Sequence, residues 1–148
     1  MNLMAKKRLV VIALALLCNY GVFAQQSATY TSDLVDFQKA LSLYNSKQYL
    51  AAQSLFDKIQ DTANDEVVKS DCAYYIANCA VRLNQQNADD LIQSFVNDYP
   101  TSTKRNTAFM DVADYYFENS KFSYARKWYD KVEEDALARS EREKFYFN

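Results

Sequence analysis

The sequence predicts an all-α fold in which antiparallel helix pairs stack on one another. The first observation is an internal repeat, because three segments of the chain align with one another at steps of 36 or 37 residues. The second is composition, since the 148 residues include one glycine, Gly21, and one proline, Pro100. Hairpin-rich β folds need such turn residues at short intervals, so we expect helices throughout.

The aligned positions hold small residues flanked by larger side chains. The small positions are Ala40, Ala77 and Ala113 in the first helix of each pair, and Ala52, Ala88 and Ala125 in the second. The larger positions are Phe37, Tyr74 and Met110, then Phe56, Ile92 and Tyr129, then Ile59, Phe95 and Val132. A small residue lets two helices approach to about 8 Å. We therefore predict that the alanines lie where the helices of a pair cross, with the larger side chains between neighbouring pairs.

The first 24 residues are typical of a secretory signal peptide. Three basic residues precede an apolar run from Leu9 to Leu17, and Val22 and Ala24 suit the pocket of a signal peptidase. We predict cleavage after Ala24, followed by a polar lead-in over residues 25–32. The mature protein would be exported to the periplasm or the outer-membrane periphery, and would meet a membrane only by association.

Two alternatives for this segment stay open. A lipoprotein signal would place a lipid on Cys18, but Leu17 precedes that cysteine where a small residue is usual. An uncleaved anchor would need roughly 20 apolar residues, and the uninterrupted apolar run is shorter than that.

The charge balance argues against nucleic acid as a partner. Cleavage would remove three of the 17 basic residues and none of the 19 acidic ones, leaving 14 against 19. No basic stripe then remains to neutralise a phosphate backbone. The predicted export signal also argues against nucleic acid as a partner.

Two cysteines would remain after cleavage, Cys72 and Cys79. On one helix their Cα atoms would be about 10 Å apart, whereas a disulfide needs a separation below roughly 7 Å. We therefore expect two core residues that do not bridge each other, with an intermolecular disulfide as the alternative.

The helical domain, residues 33–148, begins with a helix that Ser32 or Asp33 can cap. Apolar residues recur at helical spacing until the polar turn 45–47, and a second helix follows over about 48–60. These two helices form the first pair.

The second pair starts at a cap, Asn64 or Asp65, and its helices are predicted over about 66–83 and 88–98. Polar residues between the two helices supply the turn. The second helix ends before Pro100, because proline disfavours a helical conformation in the residue before it.

The third pair is predicted from a cap at Thr101 or Ser102 to residue 118, and again over about 122–134. Residues 137–148 would start a seventh helix. The repeat places the next small residue at position 149, so we expect either an unfinished array or a capping helix.

The pattern Tyr49-x-x-Ala52-x-x-x-Phe56 recurs at residues 122–129 and resembles the second helix of tetratricopeptide repeats. The small residue in the middle of each first helix also matches that family. The junction over residues 95–102 is similar to exported members in bacterial envelopes, including those of outer-membrane assembly and of the Tol-Pal system. Residues 114–129 are similar to long exported repeat proteins of Bacteroidota-like bacteria.

The resemblance implies a right-handed α-solenoid, with three tetratricopeptide-like repeats and the start of a fourth over residues 33–148. Two departures from the family pattern stand out. Gln85 occupies a position where an aromatic residue is expected, and Lys47, Asn84 and Ser120 replace the glycine that the family usually has in the turn.

No catalytic, metal or cofactor site is expected from the residue types. The chain has no histidine, the commonest general base and metal ligand, and the mature chain would have no glycine for a phosphate-binding loop. Adjacent acids such as Asp89 and Asp90 point about 100° apart on a helix, so they do not converge on one substrate. We expect solvated helix faces there.

The resemblance implies that the first helices of successive pairs line a concave binding face. Counting from the central alanines, we predict contacts to a protein or peptide partner from Tyr44, Tyr74, Asn78, Arg82, Met110, Asp114 and Phe117. Asn78 matches an asparagine that some family members use to hold a peptide carboxylate, although Tyr74 stands where those members carry lysine. Core packing is the alternative for the aromatic residues, and a solvated charge is the alternative for Arg82.

The expected function is therefore that of a non-catalytic protein–protein interaction scaffold in the bacterial cell envelope, without a cofactor. One alternative is a glycan- or peptidoglycan-binding protein, because exposed aromatic rings stack on sugars. Another is the N-terminal repeat region of a larger protein whose activity lies downstream.

Overall fold

The computed structural model describes residues 34–147, without the side chains of residues 136, 144 and 147, and all regular structure in that range is helical. The helices are α1, residues 34–45; α2, Tyr49–Thr62; α3, Glu66–Arg82; α4, Ala88–Asp98; α5, Ala108–Glu118; α6, Phe122–Tyr129; and α7, Arg139–Phe147, with a 3₁₀ turn at Glu134–Ala136. The predicted all-α class is confirmed. The predicted signal peptide, lead-in and first cap lie outside the described residues.

Consecutive helices contact one another within the compact unit that starts at Phe37. Helix α2 packs on α3, α3 on α4, and α5 on α6, while α3 and α4 also contact α5. Helices α1 and α2 meet through the rings of Phe37 and Phe56, whose centroids are 5.5 Å apart at an interplanar angle of 68°. No helix within residues 34–147 is both long enough and apolar enough to cross a membrane.

The six aligned alanines are all buried, as the repeat predicts, and none is more than 4% exposed. Large side chains are fully enclosed around them, including Phe56, Ile92 and Phe95. Burying one such side chain contributes about 1.5–3 kcal/mol relative to leaving it in water. The small residues let the helices approach closely enough for these larger groups to fill the space between them.

Each helix pair turns through the same backbone conformation. Lys47, Asn84 and Ser120 have positive φ angles of 60°, 54° and 59°. In every one of these turns the following N–H donates to the carbonyl oxygen five residues back, as Gln48 does to Leu43 at 2.9 Å. This hydrogen bond belongs to the Schellman motif that commonly ends helices. The repeat therefore extends to backbone geometry, at the positions where the sequence lacks the family's glycine.

Gln85 in the middle turn, where the repeat suggested an aromatic residue, pairs with Gln53 on α2. The Gln53 amide donates to Oε1 of Gln85 at 3.0 Å, and the Gln85 amide donates to Oε1 of Gln53 at 2.8 Å. Gln53 also donates to the carbonyl oxygen of Ile76 at 3.5 Å. Gln53 is almost fully buried, so these partners satisfy an amide that water does not reach.

The connection between α4 and α5 is longer than the sequence predicted. Helix α5 begins at Ala108, so the cap predicted at residue 101 or 102 is wrong. Residues 100–107 form turns instead, in which local hydrogen bonds compete with the helix. Lys104 anchors this connection to α3 through an ion pair of 2.7 Å with Asp71.

Helix α6 is shorter than predicted, because it ends at Tyr129 and not near residue 134. Three acids follow it closely, Glu133, Glu134 and Asp135. Acidic residues are unfavourable at a helix C-terminus, where the helix dipole is negative. The chain therefore leaves the α-helical conformation before it reaches them.

Two local predictions on α3 are confirmed. Asp65 caps the helix, because its carboxylate accepts a hydrogen bond from the Val67 N–H at 2.8 Å. Cys72 and Cys79 are buried and do not bridge each other. Burial raises the pKa of the Cys79 thiol to about 12, as expected for a core residue with little thiolate character.

Candidate functional site

Helix α3 ends with an arginine that lies among three tyrosine rings. The guanidinium carbon of Arg82 is 5.1 Å from the ring centroid of Tyr44, 5.8 Å from that of Tyr49 and 4.9 Å from that of Tyr115. These rings belong to α1, α2 and α5, so one side chain on the second helix pair contacts the other two pairs. We call residues 44, 49, 82 and 115 the arginine cluster.

Asn78 holds the guanidinium in this position from one turn earlier on α3. Its Oδ1 accepts a hydrogen bond from Nη1 of Arg82 at 2.8 Å, and its backbone oxygen accepts a second at 3.1 Å. The Asn78 amide donates to the carbonyl oxygen of Tyr74 at 3.1 Å. Asn78 is wholly buried, so it orients the arginine from inside, and its predicted contact with a partner stays a prediction.

Arg82 has aromatic neighbours, but it forms no ion pair with any residue of the described range. A cation over an aromatic face contributes about 0.5–1 kcal/mol at an exposed site and about 2 kcal/mol when desolvated. Burial raises the pKa of Tyr44, and the charge of Arg82 acts in the opposite direction. The Tyr44 hydroxyl therefore stays neutral at physiological pH, and the cluster carries the positive charge of a partly exposed arginine.

A second polar contact joins α3 to α5. The Tyr74 hydroxyl donates to the Asp111 carboxylate at 2.7 Å. Burial and that carboxylate raise the pKa of Tyr74. The Lys104 ammonium lies 5.8 Å from the Tyr74 ring centroid. Tyr74 thus connects neighbouring helix pairs, and any contact it makes with a partner stays a prediction.

Two of the predicted contact residues on α5 face the protein interior. Met110 is 4% exposed and Asp114 is 6% exposed. The Asp114 carboxylate accepts a hydrogen bond from the Tyr129 hydroxyl at 2.6 Å, which ties α5 to α6. Their predicted role in partner binding stays a prediction.

Phe117 belongs to a separate ring pair at the end of α5. Its ring centroid is 5.4 Å from that of Phe122 across the turn between α5 and α6, at an interplanar angle of 70°. Phe122 is 59% exposed, and Tyr124 on the same helix is 57% exposed. This end of the third helix pair therefore presents aromatic surface to solvent.

The structure brings together three of the predicted contact residues, Tyr44, Asn78 and Arg82. Sequence reasoning missed Tyr49 and Tyr115, because it followed only the stripe of each first helix. Tyr49 lies on a second helix, and Tyr115 lies beside that stripe on α5. The sequence did contain a usable signal. In both the first and the third helix pair, two aromatic residues lie five positions apart on either side of the turn.

The chain matches no protein-family model, no curated protein and no solved structure. The likeness to tetratricopeptide repeats therefore rests on the residues of this chain.

Proposed function

We propose that this chain is a non-catalytic protein-binding scaffold of the bacterial cell envelope, built as a right-handed α-solenoid of tetratricopeptide-like repeats. Two features support the solenoid. The aligned alanines are buried in every pair, and the turns at Lys47, Asn84 and Ser120 share one left-handed geometry. The envelope location rests on the signal-like sequence of residues 1–24.

The observation that carries the binding function is the arginine cluster. Arg82 is partly exposed, oriented by Asn78, and without an ion pair among residues 34–147. Arginine donates paired, charge-assisted hydrogen bonds to carboxylates, and the flanking tyrosine rings offer apolar contact to the rest of a ligand. The cluster therefore suits an acidic segment of a partner protein.

Photo-crosslinking in cells of the source organism tests the binding face. A photoreactive residue replaces Asn45 or Glu118, which are exposed at the C-terminal ends of α1 and α5, and a third variant carries it at Ser54, exposed on α2. We expect positions 45 and 118 to capture the same protein and position 54 not to capture it. Equal capture at all three positions would contradict a face formed by the first helices.

A charge series in the same cells tests the arginine cluster. Arg82→Gln should reduce the crosslinked product at position 45 roughly tenfold, as for loss of a central arginine anchor, and Arg82→Lys should retain part of it. Lys58→Gln removes an exposed lysine on α2 and should leave the product unchanged. Circular dichroism verifies the fold of each variant, and a product that survives Arg82→Gln overturns the assignment.

A further inference from the structure

The guanidinium of Arg82 has more hydrogen-bond donors than the protein uses. An arginine side chain carries N–H groups on Nε, Nη1 and Nη2. Both hydrogen bonds that Arg82 makes within the described chain start from Nη1 and end on Asn78, at Oδ1 over 2.8 Å and at the backbone oxygen over 3.1 Å. Nε and Nη2 donate to no residue among positions 34–147. These two nitrogens are therefore available to a ligand.

The unused donors of Arg82 are open to solvent. Among the side chains that the structure describes, the buried polar atom that lacks a hydrogen-bond partner is Nε1 of Trp128. Nε and Nη2 of Arg82 also have no protein partner, so they are not buried. Arg82 as a whole is partly exposed. A ligand can thus reach both nitrogens from solvent.

Nε and Nη2 share one edge of the planar guanidinium. Their N–H bonds on this edge run side by side and match the two oxygens of a carboxylate, which is the strong, bidentate form of this contact. An amide or hydroxyl group has a single oxygen and cannot occupy both donors in this way. Asn78 already accepts from Nη1, so the edge formed by Nη1 and Nη2 is not available. The side-on edge is therefore the one that a ligand meets.

The rings of the arginine cluster determine what can lie next to the bound group. The centroids of Tyr44, Tyr49 and Tyr115 are 5.1, 5.8 and 4.9 Å from the guanidinium carbon. Each of these tyrosines is partly exposed. The exposed part of a tyrosine ring offers apolar contact at a low cost in side-chain entropy. A carboxylate on an apolar stem therefore fits better than a bare anion.

The charges near the cluster favour a ligand with a single negative charge. Arg82 forms no ion pair within the described range. Lys47 in the first turn is exposed, and so is Glu118 on α5, one turn after Tyr115. Asp114 is buried, and its carboxylate accepts a hydrogen bond from the Tyr129 hydroxyl. One further cation against two acids does not compensate the second charge of a phosphate group, whereas Arg82 alone matches a carboxylate.

We propose that Asn78 is a positioning residue that commits Arg82 to side-on binding of one carboxylate, carried by a glutamate side chain of the partner protein. Asn78 acts through Arg82 and does not contact the ligand, because it is wholly buried. The two methylene groups of the glutamate lie against the tyrosine rings. This inference rests on the proposed function and deepens it, since it names the bound group and the residue that selects it.

Titration of the purified, ¹⁵N-labelled chain with a small acid tests the assigned edge by NMR. The probe is hydrocinnamate, which joins a carboxylate to an apolar stem, and the matched control is its neutral analogue hydrocinnamide. The Nε–H signal of Arg82, identified by its loss in Arg82→Lys, should shift with saturation at a Kd of roughly 1–10 mM. Hydrocinnamide should not shift this signal. Inorganic phosphate should bind roughly tenfold more weakly than hydrocinnamate.

Two variants separate positioning of the arginine from a merely structural role. Asn78→Asp places a carboxylate where the amide oxygen accepts from Nη1, so it should neutralise Arg82 internally and weaken hydrocinnamate binding roughly tenfold. Arg82→Lys keeps the charge without the planar edge, so it should bind hydrocinnamate and phosphate with similar affinity, measured on backbone amide signals. Arg126→Lys, at an exposed arginine of α6, should keep the preference for hydrocinnamate. Circular dichroism verifies each fold, and Arg82→Lys decides the test if Asn78→Asp does not fold.

Several outcomes would overturn this inference. They are an equal shift of the Nε–H signal by hydrocinnamide, the absence of a saturable shift with hydrocinnamate, a wild-type preference in Arg82→Lys, and unchanged binding by a folded Asn78→Asp. If one of these occurs while Arg82→Gln still abolishes the crosslinked product in cells, the protein-binding function stands and the assigned edge is wrong. A saturable shift together with a crosslinked product that survives Arg82→Gln would instead identify a free carboxylic acid as the ligand and overturn the partner protein.

Discussion

Two ring pairs, Tyr44 with Tyr49 at the first turn and Phe117 with Phe122 at the third, have the same geometry and different surroundings. Tyr44 and Tyr49 lie under Arg82, whereas Phe122 of the other pair is 59% exposed. The same short motif therefore stabilises contacts between helix pairs in one place and forms surface in the other. Among the described residues, the two ring pairs differ in that a side chain of the next helix pair, Arg82, lies over the rings of the first pair.

The largest effect should come from breaking the repeat that makes the two ring pairs equivalent. Ala113 is fully buried on α5, so Ala113→Trp should destabilise the protein by roughly 1–3 kcal/mol or more through overpacking. Ala51 is exposed on α2, and Ala51→Trp serves as the matched control with little expected effect. Thermal and urea unfolding measure both variants, and an unchanged midpoint for Ala113→Trp would show that the assigned register is wrong.

Removing the equivalent ring from each of the two ring pairs should lower the free energy of unfolding by different amounts. Tyr49→Ala removes a ring from the arginine cluster and should destabilise the protein by ~2 kcal/mol. Phe122→Ala removes the equivalent but exposed ring and should cost less than ~1 kcal/mol. Urea unfolding gives both free energies of unfolding. Equal costs would mean that the cover over the first pair contributes no stability.

Removing the covering cation should have a moderate effect. Arg82→Gln should lower the free energy of unfolding by ~1 kcal/mol, because the cation–aromatic contacts and the two hydrogen bonds to Asn78 are lost. Arg82→Lys should recover part of this, since it keeps the charge without the planar group. Arg126→Gln, at an 85% exposed arginine of α6 that pairs with Asp130 at 4.0 Å, is the control and should change stability by less than ~0.5 kcal/mol. Chemical denaturation compares the three variants, and a loss no greater than that of the control would refute the role of Arg82.

The smallest effects should arise in the turns that carry the ring pairs. Lys47→Gly and Ser120→Gly should each stabilise the protein by ~0.5–1 kcal/mol, because glycine adopts positive φ without the steric cost of a side chain. Asn84→Gly should stabilise it less, since asparagine tolerates this conformation. Lys58→Gly inside α2 should destabilise it by ~1 kcal/mol. Differential scanning calorimetry resolves this order, and destabilisation by the turn glycines would contradict the left-handed geometry.

Much of the backbone could be predicted from the sequence because it depends on local patterns. The repeat located the buried alanines, the cap at Asp65 follows from its position before an apolar stripe, and the three turns recur at one repeat position. The start of α5 could not be predicted in this way. Several residues before Ala108 suit either a helix or a turn, and the ion pair from Lys104 to Asp71 fixes the choice through tertiary contact.

The candidate site was harder to predict because its members meet only in the folded chain. Tyr115 lies 33 residues from Arg82 in sequence, and no helical periodicity links the two. The burial of Asp114 depends on the Tyr129 hydroxyl contributed by α6. Counting along one helix identified Arg82 as a candidate contact residue, which stays a prediction, but it could not show which neighbouring helices would surround it.

The hydrogen-bonded pair of Gln53 and Gln85 has a consequence for the order in which the helix pairs stack. Stacked pairs built to one pattern are in danger of associating with the wrong neighbour or of exchanging between molecules. Gln53 satisfies its buried amide through Gln85, whereas the third pair has Lys121 directly after its positive-φ turn residue, where the second pair has Gln85. A first pair docked against the third would lose the two reciprocal hydrogen bonds between these amides, each of which contributes about 0.5–1.5 kcal/mol. A single departure from the repeat thereby favours docking of the first helix pair against the second and not against the third.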